Sequence, residues 1–236
     1  MDILQAEVIR TRDLTHDVRE IELRLMKPQT TIQFKAGQFI SFEMAKPGFP
    51  LVTTRPYSIA SPPSLSDHIL LVLNLVVGGS GSTYLFNLRE RDVTQFKGPA
   101  GSFYVRDDHR DLLLVATGTG IAPFRSMVLS ELEKPISRQV KLVWGLRSQR
   151  DLYYQEEFAD LSRTHPRFTF VTALSRPDPG WTGVTGRVTT YLETHVDEVK
   201  NVSVYLCGNG GMIKDVTTTI RAKGLCPIYR EQYYEG

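Results

Sequence analysis

The chain has 236 residues, 41% of them hydrophobic and 23% charged, with a formal net charge of +2. That is the length of one large or two ordinary globular domains, and the balance excludes a disordered chain. The charge is too weak to point to nucleic acid, and the charged start MDILQAEVIRTRDL has no apolar stretch of the signal-peptide kind. The longest apolar run, Ile69 to Val77, is interrupted by Asn74 and falls far short of the ~20 residues of a membrane helix, so no membrane span is expected. Cys207 and Cys226 are the only cysteines. They suit a reducing cytoplasm and exclude an iron–sulfur cluster held by four cysteines of this chain. The five histidines are scattered without ligand spacing, so no metal site is expected.

Up to about Val105 the chain reads as strands. In DVREIELRL (17–25), Val18, Ile21, Leu23 and Leu25 fall largely in alternation, the pattern of a half-buried strand. GQFISFEM (37–44) sets Ile40, Phe42 and Met44 on one side and Phe39, Ser41 and Glu43 on the other. SIAS (58–61) and HILLVLNLVV (68–77) add strands, STYLFNLRE (82–90) suggests a helix, and VTQFKGPAGSF (93–103) is a strand running into a Gly-Pro turn. Short strands punctuated by Gly and Pro predict a small antiparallel barrel.

Beyond the charged linker VRDDHRD (105–111) the pattern changes to alternating strands and helices. DLLLVA is a buried strand, and GTGIAPFRSMVLSELEK is a glycine turn opening a helix. QVKLVWG, RFTFVTALS and VSVYLCG are further strands, with helices at YYQEEFADLSR, GRVTTYLETH and GMIKDVTTTIRAKG. This alternation predicts a parallel sheet with helices on both faces. The expected domains are residues 1–106 and 107–236.

Three places carry candidate chemistry. TRPYSIASPP puts a cation (Arg55), a ring (Tyr57) and a hydroxyl (Ser58) almost side by side. The plain reading is a strand entering a turn at Ser61-Pro62-Pro63; the functional one is a surface for a ligand with anionic, flat and hydrogen-bonding parts. VVGGSGSTYL sets Gly79, Gly81 and Ser82, followed by Thr83, before the only helix of the first half. It reads either as an anion site or as a plain helix start with Ser82 as N-cap. ATGTGIAP places Thr117, Gly118, Thr119 and Gly120 after the first strand of the α/β half, with Pro123 where a third glycine is usual; free N–H groups at such a helix start favour a pyrophosphate. At the ribose end, a chain built for NAD would set an acid near the end of the second strand. Here Arg147 comes first there, Ser175 and Arg176 follow the third strand, and Arg187 opens the next helix. Guanidinium groups without an acid suit a 2′-phosphate, so NADP is expected, with NAD the alternative.

Taken together, these segments resemble the ferredoxin–NADP reductase family of FAD-containing reductases over nearly the whole chain. Arg55-Pro56-Tyr57-Ser58 is similar to its R-x-Y-S flavin motif, and Gly79-Ser80-Gly81-Ser82 to its G-x-x-S pyrophosphate turn. KGPAGSF resembles its barrel-closing turn, GTGIAP its nicotinamide-dinucleotide loop, and CGNGGM, with Cys207, Gly208 and Met212, its C-G-x-x-x-M segment. The resemblance implies a six-stranded Greek-key barrel for FAD and a parallel α/β domain for NAD(P). It further implies that Arg55 holds the FAD pyrophosphate, Tyr57 lies against the isoalloxazine, Ser58 bonds flavin N5 and Cys207 approaches the nicotinamide. The implied activity is hydride transfer between NADP(H) and FAD, with single electrons passed to or from a carrier such as ferredoxin or flavodoxin. The alternatives are a flavin reductase using diffusible flavin, which the GGSGS helix start argues against, and the reductase component of an oxygenase. Two departures stand out. Arg91-Asp92 replaces the family's usual Gly-Asp, which implies a local loop change. At the C-terminus Tyr233 and Tyr234 both compete for the place of the flavin-covering tyrosine.

Overall fold

The computed structural model describes residues 3–45, 52–135 and 138–233. They form two compact units. The first holds the described residues up to Val105 together with Ala122–Ser130; the second holds Arg106–Ile121 and the described residues from Glu131 to Tyr233.

The first unit is built from β1 (Ile3–Asp13), β2 (Val18–Leu25), β3 (Phe39–Ala45), β4 (Val52–Ser58), β5 (His68–Asn74) and β6 (Val93–Ala100), with helix α1 (Ser80–Asn87) between β5 and β6. The sheet is antiparallel, in the order β4-β3-β6-β1-β2-β5. The return of β6 to lie between β1 and β3 is the Greek-key connection. The bridge between Ile59, just beyond β4, and Leu71 of β5 brings the two outer strands together at one point and curls the sheet into a barrel. Alternate residues line its core: Ile21 and Leu23 of β2, Ile40 and Phe42 of β3, Ile69 and Leu71 of β5 are all within 1% of full burial.

Strand β1 is not evident in the sequence, yet it lies between β6 and β2. Its alternating Leu4, Ala6 and Val8 are buried, but the alternation runs only to the register shift between Val8 and Arg10. The SIAS segment gives less strand than its residues suggest. β4 stops at Ser58, and Ile59 contributes the isolated bridge.

Arg91 takes φ 77°, so it occupies the left-handed conformation that glycine would adopt freely. Its N–H donates to the Val8 carbonyl at 2.8 Å, and Asp92 Oδ2 accepts from Arg89 N at 2.7 Å. The arginine therefore keeps a glycine-type turn at a conformational cost. Arg91→Gly is expected to raise stability by about 1 kcal/mol, less the entropy that glycine loses on folding. Urea unfolding of the two proteins measures it.

The second unit contains β7 (Asp111–Thr117), a 3-10 turn (Gly118–Gly120), α2 (Ile121–Leu132), β8 (Val140–Leu146), α3 (Gln155–Thr164) and β9 (Phe168–Leu174). It continues with β10 (Val184–Thr185), α4 (Val188–His195), β11 (Val202–Gly208), α5 (Gly210–Ala222) and β12 (Ile228–Gln232); Ala122–Ser130 of α2 cluster with the first unit. All strands are parallel, in the order β10-β9-β8-β7-β11-β12. The chain winds outward from β7 to β10 and then returns to the other side of β7, so the winding reverses between β7 and β11. A crevice at such a switch point is where open α/β sheets take ligands. One face packs Leu113, Val115, Val143, Val204 and Leu206 against α4 and α5. On the other, Phe158 of α3 meets Trp144, Phe168 and Phe170. The sequence pattern misses β10 and β12, which are the short edge strands.

Candidate functional site

In the first unit, β4 pairs with β3 so that Arg55 opposes Phe42, Tyr57 opposes Ile40 and Ser58 opposes Phe39. Alternation puts Arg55 and Tyr57 on one face and Ser58 on the other. Arg55 is exposed, Tyr57 half-buried and Ser58 buried. The Tyr57 ring stands edge-on to Phe42, with centroids 5.8 Å apart. Among the described residues, the Arg55 side chain makes one hydrogen bond, to the Thr54 carbonyl at 3.1 Å, and no ion pair. Most of its five donors remain available. Burial pushes the Tyr57 hydroxyl up to about 12, and the adjacent Arg55 charge partly opposes the shift.

Helix α1 starts against this pair. A Cβ placed on Gly81 would lie 2.6 Å from the Tyr57 hydroxyl and 2.9 Å from Arg55 Cγ, so only glycine lets the helix approach so closely. The sequence leaves Ser82 open as N-cap; in the structure Gly79 is the N-cap and no side chain caps the helix. The Ser82 hydroxyl instead turns back, accepting from Val76 N at 3.1 Å and lying 3.2 Å from the Gly79 carbonyl, which accepts from it. Ser82 thereby shapes the turn and leaves the first N–H groups of the helix without a side-chain acceptor. No acid occupies the first turn. Exposed Thr83 and half-buried Ser80 line a groove of about 650 Å³ beside the helix, bounded by Glu43, Met44 and Thr94; Arg55 and Tyr57 do not line it.

The crevice of the second unit is equally tight. A Cβ on Gly120 would lie 2.4 Å from the Cys207 carbonyl, and one on Gly208 2.2 Å from Thr117 Oγ1. Gly118, at φ 53°, has nothing within 4 Å on that side, so the turn is closed toward β11 and open at Gly118. Neither Thr117 before the turn nor any first-turn acid caps it. Thr119 is buried, and Pro123 stands in the first turn of α2, where a missing N–H costs little. Helix α5 differs: Asn209 accepts from Met212 N at 2.8 Å and caps its own helix.

Cys207 is fully buried. Burial raises its thiol well above the ordinary value, and Glu231 on the paired strand raises it further, while a hydrogen bond from Tyr233 works against both. The side chain is thus a neutral, apolar wall rather than a thiolate. Tyr233 donates its N–H to the Gly208 carbonyl at 3.0 Å, which holds it at this strand end. Tyr234 lies outside the described residues.

The arginines gather at the carboxyl edge of the sheet. Arg147 directly follows β8, Ser175 and Arg176 follow β9, and Arg187 is the N-cap residue of α4. Backbone bonds extend the strand pairing through them: Ser175 N to Leu146 O at 3.0 Å and Arg176 N to Arg147 O at 2.7 Å. All four residues are exposed, and the three guanidinium groups have no carboxylate partner among the described residues.

The family model described as an oxidoreductase FAD-binding domain matches residues 5–104, and that described as an oxidoreductase NAD-binding domain matches 114–218. Among curated relatives, the phenol 2-monooxygenase reductase component DmpP of Pseudomonas sp. (strain CF600) is 34% identical, over 94% of this chain and 63% of the relative. The phenol hydroxylase P5 protein of Acinetobacter pittii is 36% identical, over 92% and 61%. The chain therefore spans less than two thirds of the length of both. The ferredoxin–NADP reductase B of Sorangium cellulosum is 31% identical, over 93% and 91%. Among solved structures, the Amycolatopsis cytochrome P450 reductase GcoB superposes with a TM-score of 0.86 at 29% identity, over 98% of this chain and 69% of that one.

The buried hydroxyl of Tyr57 gives a testable pH dependence. Tyr205 is also pushed up to about 12, chiefly by burial. Free tyrosine ionises near ~10, so the folded state holds these protons longer than the unfolded chain does. The resulting stability is complete below pH ~10 and is lost as pH rises toward 12. Alkaline unfolding curves of Tyr57→Phe should fall less steeply with pH over that window than those of the unsubstituted protein, and ultraviolet titration should show one late-ionising tyrosine fewer.

Proposed function

The chain belongs to the ferredoxin–NADP reductase family of FAD-containing oxidoreductases, and from that premise we propose that it transfers a hydride between NADP(H) and bound FAD and exchanges single electrons with a separate carrier protein. The observation that carries this reading is that two uncapped, acid-free starts, at α1 and at the Gly118–Gly120 turn, are each pressed by a glycine against a neighbouring strand; α4, also uncapped and without a first-turn acid, starts instead at Arg187 of the arginine edge. Two such starts suit two pyrophosphate-bearing ligands, because the N–H groups of a helix start and the helix dipole favour anions.

In this reading residues 1–106 hold FAD and residues 107–236 hold the coenzyme. The residues present fit FAD: the open donors of Arg55 and the α1 start, with Gly79 and Gly81, take its pyrophosphate, and Thr83 lies at the adjoining groove. The Tyr57 ring packs against the isoalloxazine, and the Ser58 hydroxyl donates to its N5. When bound, FAD supplies the exchange between two-electron and one-electron chemistry. The chain's own work is placement. The Gly118–Gly120 turn, which includes Thr119 and follows Thr117, seats the coenzyme pyrophosphate, and neutral Cys207, with Gly208 at the same strand end and Met212 in the first turn of α5, bounds the nicotinamide side. Tyr233, hydrogen-bonded to that thiol, stands at this wall. Arg147, Ser175, Arg176 and Arg187 hold the 2′-phosphate, which selects NADP.

The carrier in this reading is ferredoxin or flavodoxin. A second reading, the reductase component of an oxygenase, is favoured by relatives such as the phenol 2-monooxygenase reductase component and the ferredoxin–NAD(P)+ reductase component of the naphthalene 1,2-dioxygenase system of Pseudomonas putida. The two readings share every step up to the electron acceptor. NADPH oxidation assayed with ferredoxin, flavodoxin and free FMN as alternative acceptors tests the proposal: turnover with a protein carrier supports it, and saturable turnover with free FMN alone overturns it.

Ser58→Ala is expected to leave FAD bound and to slow its reduction by NADPH in stopped-flow measurements. The loss should be smaller than the ~2.7–4 kcal/mol typical of an oxyanion-site donor, because charge at a flavin nitrogen is more spread out. Arg176→Ala should raise KM for NADPH about ten- to a hundredfold, since hydrogen bonds to a charged group are worth roughly 1.5–3 kcal/mol. Because the 2′-phosphate is remote from the reacting carbon, kcat should change little, and NADH kinetics should hardly respond. Equal losses with both coenzymes would contradict the role.

A further inference from the structure

The Gly118 carbonyl accepts from three donors at once. One is the ordinary backbone bond from Ile121 N that closes the 3-10 turn. The other two are side chains: Trp144 Nε1 at 2.9 Å and the Tyr153 hydroxyl at 3.3 Å. Trp144 lies on β8 and is fully buried, and Tyr153 precedes α3 and is 6% exposed. Their rings meet edge to face, with centroids 4.7 Å apart, and Phe158 packs on the indole from the α3 side at 6.3 Å. Both donors are therefore held by packing before they reach the carbonyl.

This anchor falls on a residue that needs one. Gly118 sits at φ 53° with open space where a side chain would be, and glycine has more freedom than any other residue to turn its peptide planes. In a trans peptide the carbonyl and the following N–H point in opposite directions. Drawing the Gly118 oxygen toward the indole and the phenol turns the N–H edge of the Gly118–Thr119 peptide away from them. The opposite orientation would aim a carbonyl oxygen outward, where it would repel an anion.

We propose that Trp144 and Tyr153 are positioning residues that lock the peptide plane of the glycine turn in the orientation that receives the coenzyme pyrophosphate. The inference rests on the reading that this turn is the pyrophosphate seat. It assigns a role in coenzyme affinity to two aromatic residues that belong neither to the arginine edge nor to the Arg55–Ser58 segment. Such a lock acts on NADH and NADPH alike, because both carry the same pyrophosphate, so it differs from the arginine edge in leaving coenzyme preference unchanged.

The test is calorimetric titration of the FAD-loaded protein with 2′-phospho-ADP-ribose, which carries a pyrophosphate, and with 2′-AMP, which does not. In the unsubstituted protein the first should bind more tightly. Tyr153→Phe keeps the ring and removes only the hydroxyl; it should weaken 2′-phospho-ADP-ribose about three- to tenfold, leave 2′-AMP unchanged and keep the unfolding midpoint close to that of the unsubstituted protein. Trp144→Phe should act in the same direction, and both variants should raise KM for NADH and NADPH by the same factor. If Tyr153→Phe binds both ligands as before, or weakens both equally, the positioning role is overturned while the pyrophosphate seat stands. If the unsubstituted protein gains nothing from the pyrophosphate, the seat itself is wrong and the lock falls with it.

Discussion

The second unit depends on a backbone approach that admits no side chain. Gly120 lies so close to the Cys207 carbonyl, and Gly208 so close to Thr117 Oγ1, that a single methyl group at either place would sit 2.2–2.4 Å from its neighbour. The Cys207 carbonyl is backbone and cannot give way by that much, and behind Thr117 Oγ1 the Thr117 backbone N and O lie 3.1 Å from the same point, so both strand ends and the turn between them form one tight corner. The corner coincides with the reversal of strand order between β7 and β11, so the tight part of the sheet is also its crevice. Gly118, on the open side of the same turn, is held by Trp144 and Tyr153. The first unit repeats the principle in antiparallel form, where Gly81 brings the start of α1 against Arg55 and Tyr57.

Helix ends divide the structure into places that satisfy themselves and places that do not. Asn209 caps α5, Asp151 and Ser148 form a reciprocal capping box on the turn after β8, and Arg167 donates to the carbonyls of Glu131, Leu132 and Lys134 at the end of α2. By contrast, α1, α4 and the Gly118–Gly120 turn begin with no side-chain cap and no acid in the first turn. A helix start costs stability when its donors are left to water, and the chain accepts that cost at these three starts. The arginines at the carboxyl edge follow the same logic. Some arginines find carboxylates, as Arg19 does with Asp13 and Arg163 with Asp160; among the described residues Arg147, Arg176 and Arg187, like Arg55, do not.

Much of this was legible in the sequence because its cause is local. Glycine spacing marks the turns, alternation marks β2 and β3, and the strand–helix rhythm gives the parallel sheet, since each of these patterns reports backbone geometry directly. What stayed hidden depends on distant partners. β1 escapes notice because its alternation ends at the register shift after Val8, although its pairing with both β2 and β6 makes it central. β10 and β12 are too short to show a period. The plain reading of Ser82 as an N-cap fails because its hydroxyl finds the backbone of Val76 six residues earlier. Trp144 and Tyr153 read as ordinary core aromatics, since their convergence on one carbonyl appears only when β8 and the segment before α3 come together.

The most direct test of the account is the absorbance spectrum of the protein purified without added flavin, recorded anaerobically before and after NADPH. The account predicts flavin bands at near one FAD per chain, bleached on addition of NADPH, with intact FAD released on denaturation. A colourless protein, or one that carries FMN or sheds all flavin on gel filtration, would contradict the central claim that the uncapped start of α1 and the Arg55–Tyr57–Ser58 strand grip FAD.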